Sequence, residues 1–122
     1  MQILELIAER PRAFFTDAEV LQELVHRYLA QQNWSFGSGV FRRFALLMHG
    51  RIEPVYARDV EQAASLADQN LAMSARDLLH AAVMTRMGAD QIVSADRGFD
   101  RLPDLTRLDP AELVDWRARV QA

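Results

Sequence analysis

The stretch from Ser74 to Ser94 reads SARDLLHAAVMTRMGADQIVS and restricts the possible folds more than any other part of the chain. Ser74 predicts a helix N-cap with Asp77 as the acid of a capping box, and Gly88 predicts the end of that helix. The helix is apolar on most sides, which is typical of a buried helix. Residues 91–94 follow as a short strand, so the stretch supplies one helix-then-strand unit of an α/β domain.

The same alternation extends on both sides of this unit. Thr16 with Glu19 predicts a second capping box, at the start of an earlier helix. A loop that carries Trp34 and Phe36 is predicted over 33–39. Because strands alternate with helices, we expect a mainly parallel sheet whose ligands bind beyond the carboxyl ends of the strands. Helices are predicted over 2–10, 16–31, 38–48, 58–70 and 110–119, and further strands over 13–15, 52–56 and 106–108.

Composition limits the class of protein. The chain has 122 residues, of which 50% are apolar and 25% charged, values that are usual for one folded domain and that exclude disorder. With no cysteine, disulfides and thiolate zinc sites are impossible. Without a long apolar run or a leader, we expect no membrane segment and a cytoplasmic location, with a single domain over 1–122.

Charge gives a weaker indication of partners. There are 14 basic against 17 acidic residues, a net charge of −3, and every basic residue is arginine. This balance argues against a protein that binds nucleic acid mainly by counter-ion release. Arginine is nevertheless compatible with contacts to phosphate.

Acidic side chains at the predicted rim of the sheet are the main candidates for chemistry. Asp77 opens the buried helix, Asp96 follows the strand at 91–94, and Glu23 and Asp100 are further candidates. Carboxylates of this kind suit Mg²⁺ or Mn²⁺. The alternatives are a capping role for Asp77, turn or cap roles for Asp96 and Asp100, and an ion pair between Glu23 and Arg27. Periodicity also puts Glu23 on the side of its helix opposite the apolar stripe.

A second set of possible metal ligands is also present in the sequence. Glu23 and His26, like Asp77 and His80, are a carboxylate and a histidine three positions apart. This spacing is typical of carboxylate-bridged di-iron bundles. Such bundles need two further glutamates and four long helices, whereas this chain interleaves strands.

Three motifs together resemble those of the PIN-domain ribonucleases, with the VapC-type toxins of bacterial toxin–antitoxin pairs as the nearest match. The motifs are VLQELVHRY at 20–28, SARDLLHAA at 74–82 and IVSADRGFD at 92–100. The resemblance runs from about Thr16 to Asp109. It implies a three-layer α/β/α sandwich with a mainly parallel sheet and metal-dependent endonucleolytic cleavage of RNA. It also implies a cognate antitoxin as partner and a homodimer or a higher homo-oligomer.

The resemblance assigns roles to individual residues. Carried over by motif position, Glu23, Asp77 and Asp96 belong to the acidic set that holds Mg²⁺ or Mn²⁺ for catalysis. Asp100 matches an accessory acid found in many members, and Ser94 matches a small hydroxyl residue near the site. On this basis Glu23 would face the cleft.

The chain departs from the family at its start. Members open with a central strand that bears an aspartate, whereas this sequence begins, at Met1, inside what looks like the next helix. We expect two unpaired inner strand edges and weak or absent cleavage. Three explanations are open: the start codon is miscalled or the chain truncated, so that the strand lies upstream; a partner chain supplies the strand; or the chain is a degraded copy that has lost it. We favour the first explanation. The alternative function is a non-catalytic module that binds an antitoxin, which metal-dependent stabilisation would distinguish.

Overall fold

The computed structural model describes residues 2–120, so Met1 and the last two residues lie outside it. Short 3₁₀ helices connect several of the elements, among them Arg97–Arg101. The helices are α1 (Gln2–Glu9), α2 (Ala18–Ala30), α3 (Trp34–Leu47), α4 (Ala57–Ala67), α5 (Ala75–Met87) and α6 (Leu113–Trp116). The strands are β1 (Thr16–Asp17), β2 (Ile52–Glu53), β3 (Gln91–Val93) and β4 (Thr106–Leu108).

Every strand pairing in the described residues is parallel, which confirms the predicted α/β class. Strand β1 pairs with β2, with Thr16 opposite Ile52, and β3 pairs with β4, with Ile92 opposite Arg107. Within residues 2–120 the two pairs do not join into one sheet. A groove of about 420 Å³ lies between the segment that precedes β1 and the β3–β4 pair, and Phe14 lines it. The groove lies where the sequence predicts two strand edges without a neighbouring strand.

Helix α5 lies at the centre of the larger apolar cluster, as its sequence predicts. Leu78 and Ala82 are almost fully buried and pack with Phe99 and with Ala63 of α4. Each fully buried large apolar side chain stabilises the fold by about 1.5–3 kcal/mol. A second cluster of Leu6, Leu113 and Trp116 packs α1 against α6. The position of α5 is therefore fixed along most of its length.

The start of α2 differs from the prediction. Residues 13–15 do not form a strand, because Ala13 ends a 3₁₀ turn and the strand begins at Thr16, whose N–H donates to the carbonyl of Arg51 at 3.0 Å. Since Thr16 is used by the strand, the helix begins later than the predicted capping box. Its N-cap is Asp17, which accepts a hydrogen bond from the N–H of Val20 at 3.0 Å.

The predicted loop over 33–39 is also wrong, because α3 begins at Trp34. Gly37 is buried, and a Cβ there would collide with the ring of Tyr28 on α2. Close packing of two helices thus overrides the low helix propensity of glycine. Phe36 lies edge-on to Tyr28, with 6.0 Å between the ring centroids.

Two other predicted elements are shorter than expected. The predicted strand over 52–56 ends at Glu53, before Pro54, which has no N–H to continue the pairing. The predicted helix over 110–119 is divided into 3₁₀ turns around the short helix α6. None of the helices within residues 2–120 has both the length and the apolar composition needed to cross a bilayer.

Candidate active site

A cleft of about 830 Å³ opens where α2, the first turn of α5 and the loop after β3 meet. It lies beyond the carboxyl end of β3, where ligands of parallel sheets bind. Glu23, Asp77 and Asp96 all line it. The three acids that the resemblance selects therefore border one cavity.

Local backbone structure holds Asp77 and Asp96 in place. Ser74 caps α5 by accepting from the N–H of Asp77 at 3.2 Å. Asp96 caps the following 3₁₀ turn, with its Oδ1 accepting from the N–H of Gly98 at 2.8 Å. A Cβ on Gly98 would lie 3.1 Å from Asp96 Oδ1 and 3.5 Å from Asp77 Oδ2. The two carboxylates thus lie side by side at Gly98.

Their proximity affects titration. Burial, and then the negative charge of Asp96, raise the pKa of the Asp77 carboxyl above its ordinary value. Two carboxylates that repel each other in this way bind a cation favourably, because the cation removes the repulsion.

Glu23 lines the cleft, but its carboxylate is bound to a buried histidine. His80 Nε2 is 2.8 Å from Glu23 Oε1, and His80 Nδ1 is 2.8 Å from Asp17 Oδ2. Burial lowers the pKa of His80, but hydrogen bonds and charges from Asp17 and Glu23 outweigh this effect and raise the pKa to about 9. His80 is therefore protonated at neutral pH and donates to both carboxylates.

The predicted ion pair between Glu23 and Arg27 does not form among the described residues, because Glu23 turns to His80. Sequence reasoning missed the role of Asp17 and His80. The available signal was a histidine on a helix that the sequence predicts to be buried, because a buried histidine needs a hydrogen-bonding partner.

Asp77 and Asp96 fit a hard divalent cation by donor type and by position. Within residues 2–120 no three acidic or histidine side chains converge closely enough to form a ligand group. Mg²⁺ is commonly held by one or two carboxylates together with water and substrate phosphate. The pair suits that mode, with Glu23 on the same cleft but bound to His80.

The two remaining predicted residues lie beside the site. Ser94 Oγ accepts from the N–H of Asp96 at 3.0 Å and so supports its backbone. Asp100 pairs with Arg107, whose Nε is 3.0 Å from Asp100 Oδ1. Among the residues that the structure describes, neither lines the cleft. Their accessory roles stay predictions.

The di-iron alternative finds no support in this geometry. Both ring nitrogens of His80 are bound to carboxylates, so neither is free to bind iron. His26 is an exposed residue at the cleft.

Comparison with known proteins gives consistent matches. The family model described as PIN domain matches residues 1–105. A VapC ribonuclease of Mycobacterium bovis and the ribonuclease VapC13 of Mycobacterium tuberculosis are each 36% identical to the chain over 107 residues, covering 88% of it and 81% of each relative. The ribonuclease VapC23 of Mycobacterium tuberculosis is 34% identical over 96 residues, covering 78% of the chain and 74% of the relative. No solved structure matches the chain.

Proposed function

Because this chain belongs to the PIN-domain family and is a VapC-type member of it, we propose that it is a metal-dependent endoribonuclease, the toxin of a type II toxin–antitoxin pair. The observation that supports this most is the pair of carboxylates, Asp77 and Asp96, brought together at Gly98. Relatives that cover most of the chain are named ribonucleases, which makes RNA the substrate class.

The residues of the cleft have separate tasks. Asp77 and Asp96 would hold Mg²⁺ or Mn²⁺, and Gly98 leaves room for both carboxylates. A cation bound there would supply activation of water and stabilisation of charge on the phosphate under attack. Glu23 keeps one oxygen on His80 and presents the other as a hydrogen-bond acceptor for the attacking water. Ser94 supports Asp96 from behind.

The partners and the setting are part of the same proposal. The chain acts as a single domain over residues 1–122 in the cytoplasm and is controlled by a cognate antitoxin, with a homodimer or larger homo-oligomer as the working unit. A non-catalytic module that binds an antitoxin is the second candidate. It is favoured by one observation: within residues 2–120 no group of three or more acidic or histidine side chains is arranged to hold a metal ion.

The proposal is tested by RNA cleavage in Mg²⁺ or Mn²⁺. Because we expect weak or absent cleavage by this chain, each variant is made both in this chain and in a version extended at its N-terminus by an aspartate-bearing strand of the family's kind. Loss of one cation ligand is expected to slow cleavage at least about 100-fold in Asp77→Asn, because a cation supplies several kcal/mol of transition-state stabilisation. Asp68→Asn is the matched control, since Asp68 is exposed at the end of α4.

Detectable cleavage that is equal in the parent protein and in its Asp77→Asn variant would contradict the role of Asp77. A wild-type chain that neither cleaves RNA nor gains stability from either cation would contradict the nuclease and support the docking module.

A further inference from the structure

Three exposed arginines from three different elements surround the carboxylates of the cleft. Arg27 lies on α2, Arg76 on the first turn of α5, and Arg101 at the end of the 3₁₀ turn that follows Asp96. All three line the same cavity as Asp77 and Asp96. Positive charge therefore borders the carboxylates on every element that builds the site.

Several other arginines bind a carboxylate of the protein, whereas these three do not bind any within residues 2–120. Arg86 binds the buried carboxylate of Asp59 at 2.9 Å, and Arg107 binds Asp100. The three cleft arginines form neither an ion pair nor a side-chain hydrogen bond with any residue that the structure describes. Their guanidinium groups are available to a ligand.

The neighbouring acids explain why. Glu23 stands four residues before Arg27 on α2, the spacing of an ordinary helical ion pair, but its carboxylate is bound to His80. Asp77 follows Arg76 directly, yet its carboxyl group faces Asp96. Glu23 is thus engaged by His80, Asp77 lies beside Asp96 at Gly98, and the arginines remain unpaired among the described residues.

We propose that Arg27, Arg76 and Arg101 bind phosphates of the RNA strand on either side of the bond that is cut, an inference that rests on the proposed ribonuclease function. A cleft lined only by carboxylates would repel a polyanion. Guanidinium groups match phosphate oxygens in bidentate geometry, and they place the strand without reading its bases. The chain as a whole has a net charge of −3, but these three arginines form a positively charged rim around the cleft, which we call the RNA-binding rim.

The experiment measures binding of a short single-stranded RNA by fluorescence anisotropy in EDTA, at several salt concentrations. EDTA removes divalent cations, so binding is followed without cleavage. The variants are Arg27→Gln, Arg76→Gln and Arg101→Gln. The matched control is Arg43→Gln, since Arg43 is exposed on α3 and its Nε donates only to the carbonyl of Gly39 on its own helix.

Each cleft variant is expected to weaken RNA binding about ten- to a hundredfold, as the loss of one hydrogen bond to a charged group implies. The slope of log affinity against log salt is expected to fall by about 0.7 per arginine. Arg27→Lys, which keeps the charge, is expected to restore that slope, and Arg43→Gln to behave as the wild type. Cleft variants that bind like Arg43→Gln, or a wild type that binds no RNA, would overturn the proposal.

The cleavage assay separates this proposal from the proposed function. If Asp77→Asn cleaves as the wild type does while the arginine variants bind weakly, the nuclease site is wrong and the RNA-binding rim stands. If Asp77→Asn loses cleavage while the arginine variants bind normally, the nuclease site stands and the rim is wrong.

Discussion

At the level of single residues, the imidazole of His80 connects α5 to the beginning of α2. Its two nitrogens bind Asp17, the N-cap of α2, and Glu23, less than two turns further along that helix. Asp17 and His80 are both buried, and each charge is compensated by a partner at 2.8 Å. Breaking such a pair leaves an uncompensated charge inside the protein, which is strongly destabilising. His80 thereby fixes the position of Glu23 at the cleft.

The raised pKa of His80 predicts a specific dependence of stability on pH. The ordinary pKa is 6.5 and the folded value is about 9. A group with a raised folded pKa stabilises the folded state fully below its unfolded pKa, and this stabilisation is lost as pH rises through the folded pKa. The free energy of unfolding is therefore expected to fall by about 2–3 kcal/mol between about pH 6 and pH 9.5.

Urea unfolding across that range measures the effect, with His80→Gln as the control that lacks the titrating group. The difference in stability between the wild type and His80→Gln is expected to shrink as pH rises. A difference that stays constant with pH would show that folding does not raise the pKa of His80.

The sequence made part of the site predictable at this scale. Asp77 and Asp96 carry local signals, a position just after a helix cap and a position just after a strand, and the fold brings such positions to the same rim. For the Asp17–His80–Glu23 network, the sequence indicates only that a histidine on a buried helix needs partners, and it does not indicate which residues they are. Its members are 63 and 57 residues apart in the chain and meet only when α2 packs on α5.

At the level of elements, the contact between α2 and α3 depends on a glycine, Gly37, where no side chain separates the two helices. Gly37 lies against the Cβ and ring of Tyr28, while Gly39, two residues further along the same helix, has nothing within 4 Å of a Cβ position. The tyrosine ring thus occupies the volume that any other residue at position 37 would need. This explains why α3 begins at Trp34 and runs through a glycine-containing segment that resembles a loop in sequence.

This contact predicts opposite effects for two identical substitutions. Gly37→Ala is expected to lower the free energy of unfolding by about 1–3 kcal/mol, because the added methyl group must displace Tyr28. Gly39→Ala is expected to raise it by up to about 1 kcal/mol, because alanine favours the helix and meets open space. Thermal or urea unfolding of both variants measures the pair.

A Gly37→Ala protein as stable as Gly39→Ala would show that the two helices do not approach as closely as described. The prediction of a loop at 33–39 failed for the same physical reason. Helix propensity is local, whereas the packing that outweighs it involves Tyr28 of the preceding helix.

At the level of the whole molecule, the candidate site lies at the N-terminal end of α5 and the larger apolar cluster surrounds the rest of that helix. The first turn of α5 borders the cleft through Asp77. The α/β class and the parallel strands were predictable from the alternation of helices and strands. The strand predicted over 106–108 has its predicted length and the one over 91–94 is one residue shorter, whereas the strand predicted over 52–56 is reduced to Ile52–Glu53 and the one over 13–15 is replaced by Thr16–Asp17. These two differences depend on partners across the sheet and on Pro54.

The central claim is that Asp77 and Asp96 form one divalent cation site. Thermal unfolding with and without Mn²⁺ tests it most directly, because an ion that binds only the folded state stabilises it by about 2.7 kcal/mol at 100 times its Kd. The wild type and Asp68→Asn are expected to gain thermal stability with Mn²⁺, whereas Asp77→Asn and Asp96→Asn are expected to gain little or none. An equal gain in all four proteins, or no gain in the wild type, would contradict the claim.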